Sequence, residues 1–115
     1  MFMAYTVSLD LVRALRPVIA RLRQHSRDAA DQVERAASSV VLNLAEGRRR
    51  TGRDPRRFYD IAHGSASEIR GALDLADAWG WQIDCEKARE LLDMEMRLLW
   101  GLTRRSKTSN TSNTD

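Results

Sequence analysis

The sequence predicts an all-α protein, an up-down-up-down four-helix bundle, and three observations carry that expectation. Apolar residues recur at spacings of three and four in four separate stretches, the period of a helix face and not of a strand. Helix stops and starts divide the stretches: Gly47, then Asp54-Pro55, then Trp79-Gly80, then Asp84. The links are short, so consecutive helices should run antiparallel and pack on one another. At 115 residues the chain is one domain, able to bury a core without disulfides or metals. The bundle is expected over residues 1–105 and a disordered polar tail over 106–115.

The first helix is expected from about Thr6 to His25, with Ala4, Val7, Leu11, Leu15, Val18 and Leu22 on one face. Pro17 interrupts that pattern without a backbone donor, which predicts a kink or a late helix start. The second spans about Asp28 to Glu46, capped by Ser26 or Asp28 and stopped at Gly47, with Val33, Ala37, Val40 and Leu44 as its seam. Asp54-Pro55 opens the third, an acidic cap before proline at the first helical position. Phe58, Ile61, Ala62, Ile69, Ala72 and Ala76 mark its buried side, and it should end near Trp79-Gly80. Asp84 caps the fourth, which carries Ala88, Leu91, Leu92, Leu98, Leu99 and Leu102. The run of Ser, Thr and Asn after Arg105 has no apolar side chain to offset its ordering entropy.

Composition narrows the function classes. Hydrophobic residues make up 43% and charged residues 30%, the balance of an ordinary globular domain. The single cysteine, Cys85, cannot form an internal bridge, which makes a reducing cytoplasm the expected compartment. No stretch approaches the ~20 apolar residues of a membrane span, and the N-terminus lacks the basic-then-apolar pattern of a signal peptide. Net charge is only +3, but 17 of the 19 basic residues are arginine and they are unevenly placed. Arg48, Arg49, Arg50, Arg53, Arg56 and Arg57 fall within ten residues whose one acid is Asp54. Elsewhere 13 basic residues face 15 acidic ones, so the excess belongs to this turn and points to a polyanionic partner.

Polar residues also fall where apolar ones are expected. At about 100° per residue, Glu68 lies near Ile61 and Ala72, on the third helix's expected buried stripe, with Ser65 and Gly64 at its border. Ser39, Asn43 and Glu46 form a polar stripe on the second helix. A buried carboxylate needs hydrogen bonds or a cation, and Arg35, Asn43 and Arg70 are the local candidates. Two readings stay open: a helix-to-helix network that fixes register, or a subunit contact in which a partner chain supplies the counter-charge. Glu95 is a second anomaly, set among Ala88, Leu92, Leu99 and Leu102.

Catalytic and metal readings find little support. A di-iron bundle needs carboxylates from all four helices and two Glu-x-x-His pairs, whereas this chain has one loose analogue, Asp60-Ile-Ala-His63. No metal or cofactor is expected. Cys85 starts a helix, where the dipole favours thiolate, but no histidine is near it in sequence, and a small, half-buried structural cysteine is the expectation. Gly47 and Gly52 lack phosphate-loop spacing. Trp79, Trp81 and Trp100 should pack in the core or against another subunit.

The arginine turn is the best binding candidate. Guanidiniums grip phosphate bidentately and stay charged, and phosphate neutralisation gives affinity without base reading. The alternative is a solvated loop whose charges pair with acids on a neighbouring subunit.

Two blocks, Ser39-Val-Val-Leu-Asn43-Leu-Ala-Glu46-Gly47 and Phe58-Tyr-Asp-Ile-Ala62-His-Gly64-Ser65-Ala-Ser-Glu68, resemble the four-helix bundle protein family, also called the 23S rRNA intervening-sequence protein family. Ser39, Asn43, Ala45, Glu46 and Gly47 match its first motif, and Phe58, Ile61, Ala62, Gly64, Ser65 and Glu68 its second. Likeness continues weakly through Leu73-Asp-Leu-Ala-Asp and Met96–Leu102, and is poor in the first helix. Val41 stands where the family often has proline, implying a straighter second helix. The resemblance implies an up-down bundle in a homopentameric ring, with no established enzymatic activity. Some members are encoded inside ribosomal RNA insertions. The accessory protein of diversity-generating retroelements is similar in fold and binds nucleic acid through a basic surface, which makes RNA or DNA the partner the resemblance implies here. Tyr59, Leu75 and Trp79, apolar residues that one bundle leaves over, agree with self-assembly. The expectation is thus a non-enzymatic, oligomeric nucleic-acid-binding protein, with a structural or protein-interaction scaffold as the alternative.

Overall fold

A computed structural model describes residues 2–51 and 54–114, with side chains described for 2–51 and 55–104. It holds four helices, α1 (Met3–His25), α2 (Arg27–Arg49), α3 (Asp54–Trp79) and α4 (Glu86–Thr114), and no strand among the described residues. The tail expected at 106–115 and the Asp54 side-chain cap lie outside the residues whose side chains are described.

The junctions show how local chemistry cuts one helix from the next. Ser26 alone separates α1 from α2. Its extended backbone breaks the helix, its N–H donates to Leu22 O at 2.8 Å, and its Oγ accepts from the Ala29 N–H at 3.1 Å. α3 ends on Gly80, the one described residue with a left-handed backbone (φ +81°). Gly80 N–H donates to Asp77 O at 2.9 Å and Trp81 N–H to Ala76 O at 3.0 Å, the paired bonds of a Schellman ending. Asp84 Oδ1 then accepts from the Glu86 N–H at 3.2 Å to start α4.

Two expected boundaries move. α1 starts at Met3, not Thr6, and runs through Pro17, which faces solvent where water can satisfy the freed carbonyl. α2 continues past Gly47 to Arg49. Gly47 is there for close approach instead: a Cβ on it would lie 2.7 Å from Tyr59 Cε1 and 3.2 Å from Phe58 Cβ.

α1 packs on α2 and α4, and α3 on α2 and α4, around a core shared by all four helices. Every seam residue expected on α1, and Val33, Ala37, Val40 and Leu44 on α2, is buried. On α3 the expected stripe holds in part. Ala62, Ala66, Ile69, Leu73 and Ala76 are buried, while Ile61 is exposed. Ala62, Ile69 and Ala76 of the expected stripe are thus buried, but Ile61 points roughly 100° from the mean core direction, so including it widened the stripe toward Glu68. Glu68, close to Ile61 in angle, is exposed with it. The expectation that Glu68 is buried in the bundle does not hold. Ser39 of α2 meets Ser65 of α3, and each fully buried leucine of the core contributes about 1.5–3 kcal/mol.

Candidate nucleic-acid interface

The start of α1, the end of α2 and the start of α3 meet at one end of the bundle. Phe2 packs on Tyr59 with ring centroids 6.0 Å apart, and Tyr59 in turn covers Gly47. The later part of α4 joins them, since Leu98, Gly101 and Leu102 line a groove with Phe2, Met3 and Ala4. Because α2 runs on past Gly47, its last turn and cap set Arg48 over Phe2, Arg49 beside Glu46 and Arg50 over Phe58. Their charge also complements the negative C-terminal end of the helix dipole.

Each described arginine of the turn has a distinct setting. The Arg48 guanidinium lies over Phe2 at 5.5 Å and Tyr5 at 5.4 Å. Arg49 reaches Glu46 at 3.1 Å, and Arg50 approaches the same carboxylate at 3.7 Å while lying over Phe58 at 5.1 Å. Arg57 lies over Phe58 at 6.0 Å, and Arg56 pairs with Asp60 at 3.9 Å. Arg53 lies outside the described residues. Nearby, Arg104 lies over the half-exposed Trp100 at 6.0 Å, and Trp100 is 6.2 Å from the His63 ring. Burial raises the Tyr59 hydroxyl pKa, with Arg48 partly opposing it. Chemically this end presents a cluster of guanidiniums, of which Arg49 and Arg50 share Glu46 and Arg56 meets Asp60 among the described residues.

The expected polar network divides. Asn43 Nδ2 donates to Ser39 O at 2.8 Å and Ser39 Oγ at 3.1 Å, and Ser65 Oγ donates to Ser39 Oγ at 2.8 Å, joining α2 to α3. Glu46 instead serves Arg49 and Arg50. Glu68 makes no hydrogen bond or ion pair among the described residues, and Arg70, a candidate partner, pairs with Asp93 at 2.8 Å.

Glu95 is the buried carboxylate of the bundle. It is 0% exposed, and neither oxygen has a hydrogen-bond partner among the described residues. Burial pushes its pKa up to about 8, so it is held as a neutral acid at neutral pH. Cys85 is half-buried and its thiol pKa is likewise raised by burial, while Sγ donates to Ile83 O at 3.5 Å. No group of three or more His, Cys, Asp or Glu able to hold a metal occurs among the described residues. Nor is any described helix long and apolar enough to cross a membrane.

Sequence reasoning missed the ring support beneath the arginines. Phe2 and Tyr5 stand three residues apart, one helical turn, and that spacing was the available signal. It lay before the expected helix start, and so was not read as a face. Of the tryptophans, Trp81 stacks on His25 at 5.2 Å, but Trp79 and Trp100 are exposed in this chain, so neither packs in its core.

Fold and site together define a small all-α protein of four helices with arginines gathered at one end. The sequence pattern of the 23S rRNA-intervening sequence protein family matches residues 2–99, and the chain belongs to that family. The match begins ahead of α1, so it takes in the helix in which motif likeness was poorest. No curated protein matches the chain.

Proposed function

We propose that this protein is a non-enzymatic, up-down-up-down bundle that assembles into a ring of identical subunits, most simply a pentamer, and binds nucleic acid without sequence preference through its arginine end. The observation that carries the reading is the exposure of Arg48, Arg49, Arg50 and Arg57 around a few carboxylates. Phosphate contacts of this kind position a partner and read no sequence. The family name carries an RNA association, which makes RNA the first partner to test.

Self-assembly is supported by the outer face of α3. Ile61, Leu75 and Trp79 are exposed there, Leu75 at 54% and Trp79 at 67%, and Glu68 lies among them in angle. A second copy of the chain would cover these apolar side chains and supply Glu68 with a donor. A ring repeats the arginine turn once per subunit, which raises avidity without any new contact.

A salt series of binding to RNA and DNA tests the reading. Affinity should fall steeply with salt, and Arg48, Arg49, Arg50 and Arg57→Gln together should weaken binding to every sequence while the helix content stays unchanged. The ion pairs of Arg49 with Glu46 and Arg56 with Asp60 favour the scaffold reading, in which these charges serve the fold. A flat titration of the native protein near physiological salt would decide for the scaffold.

A further inference from the structure

All guanidinium-over-ring contacts among the described residues involve the arginine end: Arg48 on Phe2 and Tyr5, Arg50 and Arg57 on Phe58, and Arg104 on Trp100. A charge patch needs no such backing. Resting on the nucleic-acid reading above, we infer that this end takes single-stranded nucleic acid in preference to duplex, its ring-backed guanidiniums acting as stacking planes for unpaired bases.

The argument is one of shape. A guanidinium is planar, so one that lies over a ring can meet the π-face of a base with its opposite side while its edge N–H groups reach phosphate. Phe2, Tyr5, Phe58 and Tyr59 are half-buried, so their rings are fixed by the fold. Phe2 rests on Tyr59, and Tyr59 rests on Gly47. The planes above them are therefore preorganised, and little side-chain entropy remains to be lost on binding. Trp100 adds a ring that is itself 54% exposed. Bases in a duplex are already stacked on one another and offer only edges and phosphates, whereas unpaired bases can enter such a surface.

Charge alone predicts the reverse order. Duplex DNA has the denser phosphate charge and releases more counterions per phosphate neutralised, so a purely electrostatic patch prefers it. The order of affinities therefore separates stacking from charge.

The experiment is fluorescence anisotropy with labelled single strands of RNA and DNA, the same strands annealed to their complements, and a single strand of equal length lacking its bases. The native protein should bind the single strands about tenfold or more tighter than the duplexes, and removal of the bases should cost about tenfold, the scale of one stacked base. The variant Arg48, Arg50 and Arg57→Lys keeps the charge and should keep the duplex affinity, while its single-strand affinity falls about tenfold. Phe58→Leu, checked by circular dichroism, should act in the same direction. Equal affinities, a duplex preference, or a lysine variant that binds single strands like the native protein would overturn the inference and leave nucleic-acid binding standing. Absence of salt-sensitive binding to any probe would overturn both.

Discussion

At the end of the bundle where α2 stops, most described arginines rest on rings; at the other end Arg23 and Arg89 rest on carboxylates. There Arg23 pairs with Asp31 at 2.8 Å and approaches Glu34 at 3.8 Å, and Arg89 pairs with Asp74 at 3.0 Å and Asp77 at 3.5 Å. The aromatic pair of that end is His25 stacked on Trp81, with no arginine over either ring. The two devices are similar in strength, roughly 0.5–1 kcal/mol for an exposed cation–ring contact and 0.2–1 for an exposed ion pair. They differ in what they leave behind. An ion pair cancels much of its own field, while a ring such as Phe2 under Arg48 carries no opposing charge. One end is thereby closed by its charges and the other is left attractive to anions.

The largest expected effect comes from Glu95, between the two ends, and it tests whether they stand or fall together. Folded, its carboxyl stays neutral up to about pH 8; unfolded, it ionises near its ordinary value of 4.5. Between those values the unfolded chain holds fewer protons, so stability falls as pH rises, in total by on the order of 5 kcal/mol, and levels off above the folded value. Below the ordinary carboxylate range this contribution is fully present. Glu95→Gln should remove the dependence, so the variant matches the native protein in acid and melts higher at pH 8. Urea titrations at both pH values check this. A native protein whose midpoint does not fall between them would show that the carboxylate has a partner. If the ends are one cooperative unit, Trp81 fluorescence and far-ultraviolet dichroism will give the same midpoint.

Next in size is the loss of charge at the arginine end. Arg48, Arg49, Arg50 and Arg57→Gln should lower the slope of log affinity against log salt by roughly 0.7–0.9 for each phosphate contact removed. The equivalent change at the other end, Arg23 and Arg89→Gln, should leave that slope where it was. Equal losses from both variants would erase the functional difference between the ends.

How far these features could be read from sequence depended on whether a signal was periodic. The seams of α1 and α2 were legible because Leu11, Leu15, Leu22, Val33, Val40 and Leu44 repeat a strong apolar choice, and all are buried. α3 was legible in part: Ala62, Ile69 and Ala76 are buried as expected, but Ile61 is exposed on the outer face with Leu75 and Trp79. Counting Ile61 as buried because it is hydrophobic carried Glu68 inward with it. Glu95 stood out because Leu92 and Leu99 flank it one helical turn away on each side. The arginine cluster was plain in sequence, but the rings beneath it were not, since Phe2, Tyr5 and Phe58 meet only when three helix ends converge.

The smallest effects separate the two glycines that shape these ends. Gly80, at the charge-paired end, is needed for its positive φ, with nothing within 4 Å of an added Cβ. Gly80→Ala should cost about 1 kcal/mol, the scale of a left-handed residue's strain, and Gly80→Asn should recover much of it because asparagine tolerates that backbone. Gly47 has ordinary helical geometry and a ring against it, so its substitution is governed by space. Gly47→Ala gains up to about 1 kcal/mol of helix propensity and sets that against overpacking of about 1–3 kcal/mol. A net loss is expected, and Gly47→Asn, being larger, should be worse. Thermal melts of the four variants give the test: asparagine rescues one end and aggravates the other. Were asparagine to rescue both, α2 would have to end at Gly47 with a left-handed residue, and Arg48 would lose the helical turn that sets it over Phe2 and Tyr5.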